Sequence, residues 1–144
     1  FENCDLNGVV FYECNLMNTY IVNSNLTRVK LYNCIFRNGS LKGSNAYRVL
    51  MPFCVIDNID LKAVKNLHYS QVLIAELLKQ NVEDSYERMK AVAILKNIKN
   101  WCWNEWIEIT NEFDDFIKYW VRNVFSKYPE SNLLEAFEKR INVD

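Results

Sequence analysis

The chain has 144 residues, half of them apolar, with 17 basic side chains against 18 acidic ones. That is enough for one domain, or two small ones sharing a core, and it excludes a disordered chain. A net charge of −1 creates no strong field toward nucleic acid or an anionic membrane, and no apolar run approaches the roughly 18–20 residues of a membrane span.

The first half carries a five-residue repeat. Phe1, Leu6, Phe11, Leu16, Ile21, Leu26, Leu31, Phe36, Leu41, Ala46, Met51, Ile56 and Leu61 are apolar centres five residues apart. Two residues before each centre stands a second, mostly small class: Cys4, Val9, Cys14, Thr19, Ser24, Val29, Cys34, Gly39, Ser44, Val49, Cys54 and Ile59. Between the two classes Asn or Asp recurs, at Asp5, Asn15, Asn25, Asn45 and Asp60.

A period of five fits neither a helix nor a strand. It works if each pentapeptide forms one side of a square coil, with the centre filling the lumen and the small residue letting the corner close. Stacked coils then pair at the interstrand spacing of about 4.8 Å, and each inward Leu or Phe gains roughly 1.5–3 kcal/mol from burial. Recurrence at twenty residues supports that coil length. Val9, Val29 and Val49 form one predicted inner column, and Cys14, Cys34 and Cys54 another.

The blocks CDLNG, CNLMN, SNLTR and SNAYR resemble the pentapeptide-repeat family, whose motif is a small residue, Asp or Asn, Leu or Phe, then two variable positions. The resemblance covers about residues 1–62. It implies a β + α fold: a right-handed quadrilateral β-helix of about three coils, followed by a C-terminal α-helical bundle of unrecognised family. Phe1 begins in mid-register, so further coils are expected upstream. The next centre after Leu61 would be Asn66, which cannot fill an apolar lumen. The expected division is a β-helix over residues 1–65 and a capping or interaction domain over residues 66–144.

About four helices are predicted in the second half. The first starts at Ser70 as N-cap, with Leu73, Ile74, Leu77 and Leu78 as its apolar stripe. Covering the open end of the β-helix is its expected role. A second runs from about Ser85 to Ile109 through Ala91, Ile94, Leu95, Ile98, Trp101, Cys102 and Trp106, with Trp103 and Ile107 off that stripe. A third spans about Glu112 to Lys127, with Phe113, Phe116, Ile117, Trp120, Val121, Val124 and Phe125 on one face. Tyr128-Pro129 ends it, and Ser131 caps a last short helix through about Ile141.

No catalytic site is legible. There is no phosphate-binding Gly-rich loop and no H-E-x-x-H or G-x-S-x-G motif. The lone His68 has no nucleophile or carboxylate placed beside it by a local motif. Four of the five cysteines occupy the small inward position, read as reduced thiols packed in a core; no C-x₂₋₄-C zinc pair occurs. An odd, unpaired set fits a reducing compartment. The tryptophans at 101–106 read as core, and Glu112, Asp114 and Asp115 as compensation of a helix dipole. No cofactor and no metal are expected.

The outward positions carry the candidate interaction surface. Column arithmetic brings Arg28 and Arg48 to one corner, with Lys30 and Tyr47 nearby. Tyr12 and Tyr32 stack on the next face, followed by Pro52 and Phe53. Exposed Tyr and Arg are common interface anchors. The expected function is a non-enzymatic protein–protein interaction or scaffold module, cytoplasmic, or in a host cytosol if the protein is a secreted bacterial effector. Its partner is an acidic protein, with a homodimer through the helical half also open; direct nucleic-acid binding is not expected.

The resemblance also brings two alternatives. Some pentapeptide-repeat proteins mimic DNA and bind DNA gyrase or topoisomerase IV, conferring quinolone resistance. That needs an acidic rod, whereas residues 1–62 carry five acids (Glu2, Asp5, Glu13, Asp57, Asp60) against six bases (Arg28, Lys30, Arg37, Lys42, Arg48, Lys62). The other alternative is the β-helix and helical lobe of a HECT-like ubiquitin-ligase effector, whose catalytic cysteine would lie outside this chain.

Overall fold

The structure, a computed structural model, describes residues 1–83, 85–96, 104, 106, 108 and 115–141, with the backbone alone for 96, 140 and 141. From its start to residue 65 the chain lies in parallel against itself, twenty residues on. Strand β1 (Val10–Tyr12) pairs with β2 (Lys30–Tyr32), and β3 (Ile35–Arg37) pairs with β4 (Val55–Asp57). Single bridges fill the intervals, from Glu2↔Val22 to Asn45↔Lys65, all at the same offset. The twenty-residue recurrence of the sequence is thus the pairing register of successive layers.

Three local devices make this register. The first is a left-handed residue at every fifth position. Asn3, Gly8, Glu13, Asn18, Asn23, Arg28, Asn33, Asn38, Gly43, Arg48, Phe53, Asn58 and Ala63 all have positive φ, between 50° and 74°. Each turns the chain after a short extended piece. Asn and Gly tolerate that conformation at least cost.

The second device explains the recurring Asn and Asp. The Oδ1 of Asp5, Asn15, Asn25, Asn45 and Asp60 accepts the backbone N–H two residues on, at 2.9–3.2 Å. This side-chain turn satisfies an N–H that the corner takes out of the ladder.

The third device belongs to the small class. Ser24 Oγ accepts the Cys4 N–H, Ser44 Oγ accepts the Ser24 N–H, and Cys54 Sγ accepts the Cys34 N–H, each across one layer. Ser24 and Cys54 also donate to the carbonyl two residues earlier, at Val22 and Pro52, and Ser44 donates to Ile21 O across the layer. The expectation of inert apolar packing is corrected: at these positions thiol and hydroxyl act as hydrogen-bonding groups. Cys34 is buried, but Cys4, Cys14 and Cys54 are only half-buried; all four are free thiols.

The inward columns follow the predicted order. Leu16, Ile21, Leu26, Leu31, Phe36, Leu41, Ala46, Met51 and Leu61 are buried. Val29, with a layer on each side, and Val49, beneath Ser70, are buried, whereas Val9, in the first layer, is 37% exposed. Phe1 is likewise exposed, so the first layer departs from the uniform lumen the repeat predicts.

Past Lys65 the register breaks. Asn66 is left-handed (φ 62°) and opens a 3₁₀ turn, Leu67–Tyr69. Four α-helices follow among the described residues: α1 (Gln71–Lys79), α2 (Tyr86–Lys96), α3 (Asp115–Ser126) and α4 (Leu133–Ile141), the last preceded by a 3₁₀ turn at Pro129–Ser131. In α1 the predicted stripe of Leu73, Ile74, Leu77 and Leu78 is buried, with Ala75 and Glu76 beside it. In α3, Ile117, Trp120, Val121, Val124 and Phe125 are buried. Phe116, assigned to that stripe, is exposed instead, and the Arg88 guanidinium of α2 lies 5.3 Å from its ring centre. Trp106, Phe125 and Phe137 form an aromatic cluster with ring centres 5.6–6.2 Å apart.

Of the predicted second helix, Ile98, Trp101, Cys102, Trp103, Ile107 and Ile109 lie outside the described residues, as do Glu112, Phe113 and Asp114 at the start of the third. Ser131 does act at the last helix, accepting the Leu133 N–H at 3.2 Å. The β layers and the helices share one hydrophobic cluster. No described helix is long and apolar enough to cross a membrane.

Candidate interaction surface

One outer face is built from β1, β2 and the segment Leu50–Pro52, with Lys30 bridged to Leu50. Its outward column of Val10, Lys30 and Leu50 runs beside a column of Tyr12, Tyr32 and Pro52. Two rows of left-handed corners border it. Gly8, Arg28 and Arg48 lie on one side; Glu13, Asn33 and Phe53 lie on the other. Val10, Tyr12, Leu50 and Phe53 are 55%, 63%, 50% and 88% exposed.

The structure brings the predicted residues together in part. Tyr12 and Tyr32 are direct partners in the β1–β2 register, but their rings are 6.5 Å apart and tilted by 53°, not stacked face to face. Phe53 follows Pro52, whose carbonyl accepts the Asn33 N–H. Arg28 and Arg48 are exposed, one layer apart, and the Arg28 N–H bonds Tyr47 O at 2.9 Å. Lys30 is exposed at the centre of the face.

Tyr47 is not the free anchor that the column arithmetic suggests. It is half-buried on the neighbouring face, and its ring meets Tyr69 edge-on at 4.6 Å. The Arg48 guanidinium sits 5.2 Å from the Tyr47 ring centre and 5.8 Å from that of Tyr69. His68 lies 4.0 Å from the Tyr69 ring centre, and burial pushes its pKa below the usual 6.5. Arg48 is thus held by a cation–π pair of rings. Neither Tyr69 nor His68 was singled out from sequence as part of this cluster, because a 3₁₀ turn after the repeat carries them and no column predicts their place.

The other end of the layers is closed by side chains of α1 and of its flanking residues Ser70 and Gln80. In the layers, Lys30 N–H donates to Val9 O and Leu50 N–H to Val29 O. For Val49 O the donor is the Ser70 hydroxyl, at 3.0 Å. Ser40 N–H donates to Thr19 O and Asp60 N–H to Gly39 O; for Ile59 O the donor is the Gln80 side-chain amide, at 2.7 Å. Asn18 and Asn38 N–H donate to the carbonyls of Arg37 and Asp57, whereas Asn58 N–H donates to Glu76 Oε1. The expected side-chain N-cap at Ser70 is corrected: its hydroxyl makes no cap bond to the helix and serves the β layer. The expected covering role of the first helix is what the geometry supports.

Buried Glu76 also pairs with Lys79, which reaches Asp57 at 2.7 Å. Burial alone would lower the Lys79 pKa; hydrogen bonds to Asp57 and Glu76 outweigh it and raise the value above the usual 10.5.

Residues 1–31 match the family model described as Pentapeptide repeats (8 copies). The positive-φ row and the pairing register continue beyond that match to Ala63 and Lys65. No curated protein matches the chain.

Proposed function

We propose that the chain is a non-enzymatic protein-interaction scaffold. In this reading residues 1–65 form a right-handed quadrilateral β-helix of about three coils, and residues 66–144 form the helical domain that closes it. The observation carrying the reading is the unbroken register: thirteen successive left-handed corners, with parallel pairing at one offset throughout. Such a frame holds outward side chains at fixed spacing with little freedom to lose on binding. The pentapeptide match supports it, since such repeats suggest an interaction or scaffold module.

The proposed surface comprises Tyr12, Arg28, Lys30, Tyr32, Tyr47, Arg48 and Phe53, with Tyr47 acting through Arg48. The partner is an acidic protein. The free thiols favour a reducing compartment, the cytoplasm or a host cytosol. A second reading, self-association through the helical half, is favoured by exposed Tyr86 and Met89 on α2 and exposed Phe116 and Tyr119 on α3.

The test is affinity capture with the intact chain as bait, followed by reconstitution from purified components. A saturable complex with an acidic protein supports the scaffold reading. A chain that forms no complex from purified components, or that turns over a substrate by itself, refutes it. Sedimentation at rising concentration separates the self-association reading, which requires a dimer.

A further inference from the structure

We infer that the face between the Arg28–Arg48 row and the Glu13–Phe53 row docks an amphipathic helix of a partner protein, with an apolar stripe bordered by carboxylates. This rests on the scaffold reading and specifies which face and what chemistry.

The first support is where the chain departs from its own conformational preference. Two of the four corner rows are almost entirely Asn and Gly: Asn3, Asn23, Gly43 and Ala63 in one, Asn18, Asn38 and Asn58 in the other. The two rows that border this face hold Glu13, Arg28, Arg48 and Phe53 at the same positive φ. A side chain such as Phe has no local reason to sit there. Phe53 is also the most exposed large apolar side chain of those described. Four costly residues gathered around one face, and absent from the opposite corners save Ala63, mark side chains retained for what they touch.

The second support is charge. Arg28, Lys30 and Arg48 have no carboxylate partner among the described residues, against Glu13 as the one acid on these rows. An apolar strip with Arg28 and Arg48 along one border and Lys30 within it complements an apolar stripe with acids along one side. Guanidinium groups suit carboxylates in particular.

The third support is the backbone. Val10, Lys30 and Leu50 are paired to one another, so a ligand laid across the face meets side chains; the open edge of β1 lies at the end of the stack, not on the face. Contact must come through side chains, and helix-in-groove docking is the recurrent mode that works this way. Layers repeat about every 4.8 Å and helical turns about every 5.4 Å. A helix laid along the stacking direction therefore offers roughly one side chain per layer.

The experiment selects binders to the intact chain from a displayed library of random 16-residue peptides. Enriched peptides should carry apolar residues at helical spacing with Asp or Glu beside them. One such peptide, synthesised with a fluorophore, is then titrated against the wild-type chain and the Arg28→Asn/Phe53→Asn double variant. Affinity should fall about ten-fold or more, while the thermal midpoint holds or rises because Asn suits the left-handed corner. Arg48→Lys serves as a second variant that keeps the charge and weakens the fork.

Basic or alternating-apolar peptides, or no enrichment, would overturn the inference. So would a peptide whose affinity the double variant leaves unchanged; that result would move the interface elsewhere while leaving the scaffold reading in place.

Discussion

Glu76 Oε1 accepts the Asn58 N–H at 2.8 Å, occupying the position that the Asp57 carbonyl holds for Asn38 one layer earlier. A helix side chain thus supplies what the next layer would have supplied. Ser70 and Gln80 do the same for Val49 O and Ile59 O. The open end of a parallel stack leaves unpaired backbone, which is costly when buried; three side chains along α1 and its two caps remove that cost.

Glu76→Ala should destabilise the protein by about 2–3 kcal/mol, because it leaves the Asn58 N–H and the Lys79 ammonium without their buried acceptor. Urea unfolding measures this directly. The Lys79 contribution has its own signature. Its pKa is raised on folding, so the stabilisation is complete below pH 10.5 and is lost as pH rises through the folded value. An unchanged midpoint in Glu76→Ala would show that water replaces the carboxylate at no cost.

Cys54 provides a test of the hydrogen-bonding role of the small class. Cys54→Ser keeps an acceptor for the Cys34 N–H and should change stability by less than about 1 kcal/mol. Cys54→Val fits a position that valine occupies elsewhere in the repeat, yet it removes the acceptor and should cost about 1–2 kcal/mol. The reverse order, with Val above Ser, would restore the purely apolar account.

His68 predicts an acid-side loss. Burial depresses its folded pKa, although Glu135 acts in the opposite direction. The unfolded state then binds the proton first, so stability falls as pH drops from about 6.5 toward the folded value and is level above it. Chemical denaturation across that window should show the slope in the wild type and a flatter profile in His68→Gln. Equal slopes in the two would assign the acid sensitivity to other groups.

Truncation after Val64 should give a chain that aggregates. It removes Ser70, Glu76 and Gln80 and uncovers Val49 O, the Asn58 N–H and Ile59 O along with the apolar layer around Leu61. Light scattering and far-UV dichroism distinguish the outcomes. A monomeric, folded 1–64 fragment would mean that the helices are not needed to close the stack.

The layered half was legible because its signal is redundant. Thirteen apolar centres share one spacing, and the valine and cysteine columns recur at twenty, so a few weak positions such as Ala46 do not blur it. The left-handed corners were also written in the chain, as Asn or Gly at residues 3, 8, 18, 23, 33, 38, 43 and 58, but Glu13, Arg28, Arg48, Phe53 and Ala63 interrupt that series. The cap was not legible in detail. Ser70 before an apolar run reads as a helix N-cap, and only the tertiary contact shows its hydroxyl serving Val49 instead. Glu76, inside an apolar stripe, looks like a mismatch until the Asn58 N–H is set against it. At the surface, column arithmetic placed Arg28 and Arg48 together but had no means of foreseeing that Tyr69 would claim Tyr47.

The capping contacts constrain how such a protein changes length. Ser70 meets the carbonyls of Ala46 and Val49, Glu76 the Asn58 N–H and Gln80 the Ile59 carbonyl. A duplication of twenty residues within the stack adds one storey and returns equivalent groups beneath the same three side chains. An insertion of five preserves every corner and every apolar centre, yet it turns the stack under its lid and presents the wrong carbonyls. Growth of the paired layers is therefore quantised by their lid, in whole storeys of twenty, even though the repeat itself is counted in fives.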